Sequence, residues 1–274
     1  MINKVSIFFV GPGKTGTSWI YNVLKHHPEI EVSSAKETLY FTDEFDRGED
    51  WYHKHWVSND KIKAEFSNTY SYEKEAVNRI YQYNNKAKII FTCRNPLDRI
   101  ISHAKFLIRN GSKLSHFKDL ARDRPDMLER SDYWKMIQRY RKRFSDKNIG
   151  VFFFEDMKKD NIEYINQLCF FVGVNGFEEL PELTHSAKLP ASLPRSSGVI
   201  RFLKYFVKVL RSCGLARLIQ KVKFNPFLMK ILFAPWEDGR LIYSHDDMDM
   251  IRKSLSESNE RLATFTKSKY PLEW

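Results

Sequence analysis

Val5-Ser-Ile-Phe-Phe-Val-Gly-Pro-Gly-Lys-Thr-Gly-Thr-Ser-Trp19 is the stretch on which the reading of this chain turns. Val5–Val10 is an apolar run of strand length, of the kind buried on both faces of a parallel sheet. Gly11, Pro12 and Gly13 break it. Thr17 to His27 then reads as a helix, with Trp19, Ile20, Val23 and Leu24 at helical spacing and Pro28 as the stop. A strand, a glycine turn and a helix in that order begin a βαβ unit.

The turn itself carries chemistry. Glycines let backbone approach an anion closely, and the first amides of the helix face it with the positive end of the dipole. Lys14 adds a full charge, and the hydroxyls of Thr15, Thr17 and Ser18 add donors. That set suits a phosphate or phosphosulfate group. A glycine-rich turn that binds nothing needs neither the lysine nor the hydroxyls. The order of residues excludes a nucleoside-triphosphatase loop, in which lysine directly follows the last glycine; here Lys14 precedes Gly16.

Outward from this point, strands are expected at Glu29–Ser33, Lys63–Phe66, Lys88–Cys93 and Ile149–Phe154. Helices are expected at Leu97–Arg109, Tyr133–Arg143 and Ile162–Val172. Their alternation predicts an α/β fold, a single domain over 1–274 with a central parallel sheet flanked by helices in a P-loop-like architecture. Near the C-terminus Ser244 and Asp247 read as a helix cap. Met248, Ile251, Leu255, Leu262 and Phe265 form one apolar face of the helix behind it. A second anion-binding candidate follows the Lys88–Cys93 strand: Arg94-Asn-Pro-Leu-Asp-Arg-Ile-Ile-Ser102. Pro96 suits a first helical turn. Arg94 falls at the strand's carboxyl end, where open α/β sheets bind ligands, with Ser102 about two turns further along.

Together these two segments resemble the PAPS-dependent sulfotransferases, which use 3′-phosphoadenosine 5′-phosphosulfate as sulfonate donor. Lys14-Thr-Gly-Thr-Ser-Trp19 is similar to the family's 5′-phosphosulfate loop, and Arg94 through Ser102 to its 3′-phosphate segment. Lys36-Glu-Thr-Leu-Tyr-Phe41, Phe152–Met157 and Tyr270-Pro-Leu-Glu-Trp274 extend the likeness toward the bacterial and glycan branches. The resemblance implies donor contacts from Gly13, Lys14, Thr15, Gly16, Thr17, Ser18, Trp19, Arg94 and Ser102, with Trp19 stacking on adenine. It implies catalytic roles for Lys14, Glu37 and Ser102: Lys14 as the cation, Ser102 as its orienting partner, and Glu37 as the base that takes the acceptor's proton. Arg99 is expected to pack or pair on the helix surface, and Glu155 and Asp156 to form a helix cap. His53 and His55 lie in an aromatic loop that either lines the acceptor cleft or packs at the surface; no metal site is expected. The late Arg-Lys-Gly or Lys-Gly-Arg loop of several branches is missing, leaving Lys188 and Arg195 as its candidate replacements.

The acceptor is left open as a glycan, lipid or small metabolite offering a hydroxyl or amine. Charge bears on that choice. The net charge of +11 is concentrated between Leu183 and Trp236, where 10 Lys and Arg meet no acid; without that segment 35 basic residues face 34 acidic ones. A neutral body with one cationic segment is not a general nucleic-acid binder. Residues 195–235 are expected as a basic helical insertion or lid near the acceptor side, with 195–223 either a packed helix that keeps a solvated basic face or a contact for an anionic glycan, lipid or membrane surface. Three widely spaced cysteines, Cys93, Cys169 and Cys213, favour a reducing compartment. With no apolar run near the ~20 residues of a bilayer span, and a strand starting directly after Lys4, a cytoplasmic protein is expected. Two other readings stay open: a nucleotide-dependent phosphotransferase, and a non-enzymatic basic adaptor for anionic lipid or nucleic acid.

Overall fold

The structure is a computed structural model that describes residues 3–181, 192–194, 232–235 and 241–274. These fall into two compact units. One is drawn from Met1–Pro96, Arg130–Lys188 and Leu255–Trp274, the other from Leu97–Glu129 and Leu189–Ser254.

The first unit is built on five parallel strands: β1 (Ile7–Gly11), β2 (Ile30–Val32), β3 (Ile62–Phe66), β4 (Lys88–Cys93) and β5 (Ile149–Phe153). Their order is β2-β3-β1-β4-β5, with β1 in the middle, paired to β3 and β4. This is the expected α/β class with a parallel central sheet. Side chains alternate across a strand, so the apolar run in β1 feeds two cores. Ile7 and Phe9 join Ala64, Phe66 and Ile90 beneath α1 (Thr17–Leu24) and α9 (Asn161–Val172). Phe8 and Val10 join Ile89, Phe91 and Cys93 on the opposite face, against α3 (Lys74–Tyr83) and α7 (Tyr133–Arg141). Every residue of β1 is buried. Three further helices on this unit, α2 (Gly48–His53), α8 (Phe154–Lys159) and Tyr270–Glu273, are short.

In the second unit α4 (Pro96–Arg109) starts at Pro96, as its sequence indicates. Arg99 packs and pairs from α4: it is 1% exposed and donates from its guanidinium to the Met127 carbonyl. Helices α5 (Phe117–Asp123) and α6 (Asp126–Glu129) follow, and the Met127 carbonyl of α6 gives the Arg99 charge its partner. The Ser244 and Asp247 cap is present in reciprocal form. Ser244 donates its amide to Asp247 Oδ2 at 2.9 Å and the Asp247 amide donates to Ser244 Oγ at 3.2 Å. The helix His245–Thr266 follows, its residues up to Ser254 in this unit and those from Leu255 in the first; Met248, Ile251, Leu255 and Leu262 on the expected face are buried. Lys188, Arg195 and the segment 195–223 lie outside the described residues, as does the rest of 195–235 up to residue 231. Among the described residues, no helix is long and apolar enough to cross a membrane.

Candidate active site

The carboxyl end of β1 is shaped by how closely its turn packs. Gly11 has φ 106°, and a Cβ there would lie 2.8 Å from the Asn68 carbonyl oxygen just past β3. Only glycine fits. Lys14 is held at φ 77° and Gly16 at φ 90°. The first is an uncommon conformation for a residue with a Cβ, and such positions persist where the surroundings fix them. Gly16 caps α1 without a side-chain hydrogen bond, and its carbonyl accepts the Trp19 and Ile20 amides at 2.9 and 3.2 Å. The Thr17 and Ser18 amides come before these bonds, at the helix N-terminus, the position from which backbone amides can bind an anion.

The hydroxyls of this loop divide their work. Thr15 is fully buried; its Oγ1 donates to the Pro12 carbonyl at 2.7 Å and meets Thr92 Oγ1 of β4 at 2.6 Å. That hydroxyl fastens the loop to the sheet. Thr17 turns the other way, toward Lys36 and Asn68. Gly13, Lys14, Ser18 and Trp19 are half-buried, and the Trp19 ring stands 6.5 Å from that of Tyr164.

Lys36, Thr17, Asn68 and Glu37 close a ring. Lys36 Nζ donates to Thr17 Oγ1 at 3.3 Å, Thr17 Oγ1 to Asn68 Oδ1 at 3.4 Å, and Asn68 Nδ2 to Glu37 Oε1 at 2.7 Å. Lys36 Nζ lies 3.5 Å from the same Glu37 oxygen. Glu37 keeps 36% of its side chain exposed, enough to meet a substrate, while Lys36 keeps 16%. The turn is fixed by its backbone: Glu37, at φ 63°, donates its amide to the Phe66 carbonyl at 2.7 Å. Asn68 was not singled out from the sequence. Its signal was its place in a polar cluster, Ser67-Asn68-Thr69, just past the carboxyl end of a strand.

At the end of β4, Tyr133 Oη donates to the Arg94 carbonyl at 2.7 Å, and the Asn95 amide donates to Glu155 Oε1 at 2.8 Å. The Arg94 guanidinium sits 4.8 Å from the centroid of Phe154. A Cβ on Gly16 would come within 3.0 Å of that same Phe154 ring. Phe154, also missed in the sequence, thus joins the first loop to Arg94. Burial pushes the Glu155 carboxyl up from its ordinary value, against the Asn95 amide, which pulls it down. Glu155 and Asp156 do not cap a helix, contrary to expectation. They sit inside the first turn of α8 and reach other segments, Asp156 accepting from Tyr270 Oη at 2.5 Å. Ser102 is half-buried on α4 and belongs to the second unit.

The aromatic loop packs. Tyr52 and Trp56 are buried in the core, and His55 lies edge-on to Trp51 at 4.9 Å. His53 Nε2 approaches Glu49 at 3.8 Å, and burial lowers its pKa from the usual imidazole value. Among the described residues no three His, Cys, Asp or Glu side chains gather as a metal site would require.

A parallel sheet with a phosphate-type loop after its central strand narrows the possibilities, and comparison with known proteins narrows them further. Residues 4–190 match the sulfotransferase domain, and the chain belongs to that family. It is 30% identical over 131 residues to the membrane-associated sulfotransferase kil1 of Dictyostelium discoideum, covering 44% of this chain and 28% of that one. It is 28% identical over 96 residues to human sulfotransferase 4A1, covering 34% of each. The chain thus spans about a third of the length of these curated relatives. A crystal structure of a sulfotransferase from Alicyclobacillus acidocaldarius superposes with a TM-score of 0.60 over 83% of this chain and 99% of that one, at 22% identity. That likeness speaks to the fold.

Proposed function

We propose that this chain transfers a sulfonate group from PAPS to a hydroxyl or amine of an acceptor. The observation that carries the reading is the ring of Lys36, Thr17, Asn68 and Glu37, which joins a carboxylate to the anion loop by direct hydrogen bonds. The left-handed backbone at Lys14 and Gly16 and the N-terminal amides of α1 fit a phosphosulfate. Arg94 beside Phe154 suits the nucleotide's other phosphate.

In this reading Glu37 accepts the acceptor's proton as the acceptor oxygen or nitrogen attacks sulfur. The new bond to sulfur forms while the bond to the bridging phosphate oxygen breaks. The electron pair stays with that oxygen, and Lys14 balances the charge that develops on it. Asn68 holds the Glu37 oxygen in place through the proton transfer, and Lys36 supplies a second cation beside it. For Ser102 the donor-binding role rests on the family resemblance alone. The cationic sequence 195–223 supports an anionic glycan or lipid as acceptor, and free, buried Cys93 and Cys169 support action in the cytoplasm.

A thermal-shift comparison tests it. PAP at 100 times its dissociation constant would add about 2.7 kcal/mol of stability, so PAP and PAPS should raise Tm well above any effect of ATP. Equal shifts with ATP and PAP would favour a phosphotransferase, and no shift with either would overturn the reading.

A further inference from the structure

Beneath Glu37 lies a second carboxylate that the reaction does not use. Glu65 on β3 is fully buried, and among the described residues the side chains that hydrogen-bond its carboxylate do so through hydroxyls. Its Oε1 accepts from Thr38 Oγ1, from Ser67 Oγ at 2.9 Å and from Tyr70 Oη at 2.8 Å; its Oε2 accepts from Tyr52 Oη. Two of these donors matter by position. Thr38 directly follows Glu37, and Ser67 directly precedes Asn68. The same single oxygen therefore holds the neighbours of both partners in the 2.7 Å Asn68–Glu37 bond.

The turn needs such an anchor. Glu37 and Leu39 both adopt left-handed backbone, with φ 63° and 58°. For residues with a Cβ, such conformations persist only when the surroundings over-determine them. Ser67 Oγ accepts the Leu39 amide at 3.3 Å while donating to Glu65, and Thr38 Oγ1 accepts the Tyr40 amide at 3.3 Å. The carboxylate thus orients two hydroxyls that in turn grip the strained backbone on either side.

We propose that Glu65 is a positioning residue, which through Thr38 and Ser67 sets the distance between Glu37 and Asn68 and so the placement of the base. The proposal rests on the reading of Glu37 as base, and its test separates the two. Asn68 is first assigned in the 15N spectrum of Asn-labelled protein by its loss in Asn68→Asp. In Thr38→Val and Ser67→Ala the Asn68 side-chain amide signal should move. With PAPS as donor and 4-nitrophenol as acceptor, kcat should fall about tenfold, as expected when a reacting group is displaced by a fraction of an ångström. KM for PAPS and the PAP-induced Tm shift should stay near the parent's. Tyr52→Phe removes a hydroxyl from the same carboxylate but adjoins neither partner, and should leave the signal and kcat near the parent's at a comparable loss of Tm. An unmoved amide signal in both Thr38→Val and Ser67→Ala overturns the proposal, as does an equal movement in Tyr52→Phe. If Glu37→Gln retains full turnover, the base reading fails, and the amide signal still decides whether Glu65 sets the pair.

Discussion

Glu37 and Glu65 are two carboxylates of one unit with opposite surroundings. Glu37 is third-exposed, on a left-handed turn, between an amide and a lysine. Glu65 has no exposure and is surrounded by tyrosine, threonine and serine hydroxyls. Burial pushes the Glu65 carboxyl up from its ordinary value, although those hydroxyl bonds pull it down. Desolvation of a charge outweighs several neutral donors when no cation is beside it. In the proposed reading one carboxylate exchanges a proton with a substrate, and the other holds a scaffold still. An acidic residue near an active site is therefore not by that fact a catalyst; exposure and the charge of its neighbours decide.

The comparison can be broken in order of effect. Lys14→Ala should do most damage, cutting turnover by roughly 10³-fold, because a charge placed on the developing anion acts mainly in the transition state. It should also shrink the PAP-induced Tm shift. Glu37→Gln should cost about 10²-fold in turnover, the usual scale for a lost general base, while leaving that Tm shift intact. A steady-state assay beside a melting curve reads both. Asn68→Ala should cost less, about tenfold, since Lys36 still faces the carboxylate.

The smallest effect concerns Glu65 and pH. Its folded-state pKa is raised above the ordinary 4.5, so above that pH the folded chain binds more protons at this site than the unfolded chain does. Stability from this group is complete below 4.5 and is lost as pH rises through the folded value. The slope is at most about 1.4 kcal/mol per pH unit for one proton. Urea unfolding of parent and Glu65→Gln from pH 4 to 8 should therefore show the parent losing ground to the variant as pH rises. A difference independent of pH would mean that folding does not raise the Glu65 pKa.

What the sequence disclosed follows from what leaves a local mark. β1 and β4 are legible because strands buried on both faces read as nearly continuous apolar runs. The Gly11–Trp19 turn is legible because anion binding needs residue types at fixed spacing. Helices α2 and α8 are six residues each, too short for a periodic signal. α3 does carry one, in Ala76, Val77, Ile80 and Tyr83, and was overlooked between two strands. Within the site, Lys14, Lys36 and Glu37 could be found by charge. Asn68 and Phe154 could not, since an asparagine or a phenylalanine gains its role only from what the sheet brings beside it. For Arg99 the sequence indicates a packed or paired arginine but not its partner, since the Met127 carbonyl that it meets lies outside any local window.

The central place of β1 also bears on how the protein is made. Its two neighbours in the sheet are β3 and β4, and the latter is complete only at Cys93. The Gly11 turn further relies on Asn68 against its backbone and on Thr92 against Thr15. A nascent chain therefore carries its anion loop out of the ribosome long before either wall of that loop exists. Parallel pairings between distant segments are slow to close, so the loop stays unformed through the synthesis of three more strands. Ribosome-bound chains halted before β4 should ignore PAP, and donor binding should arise late in translation.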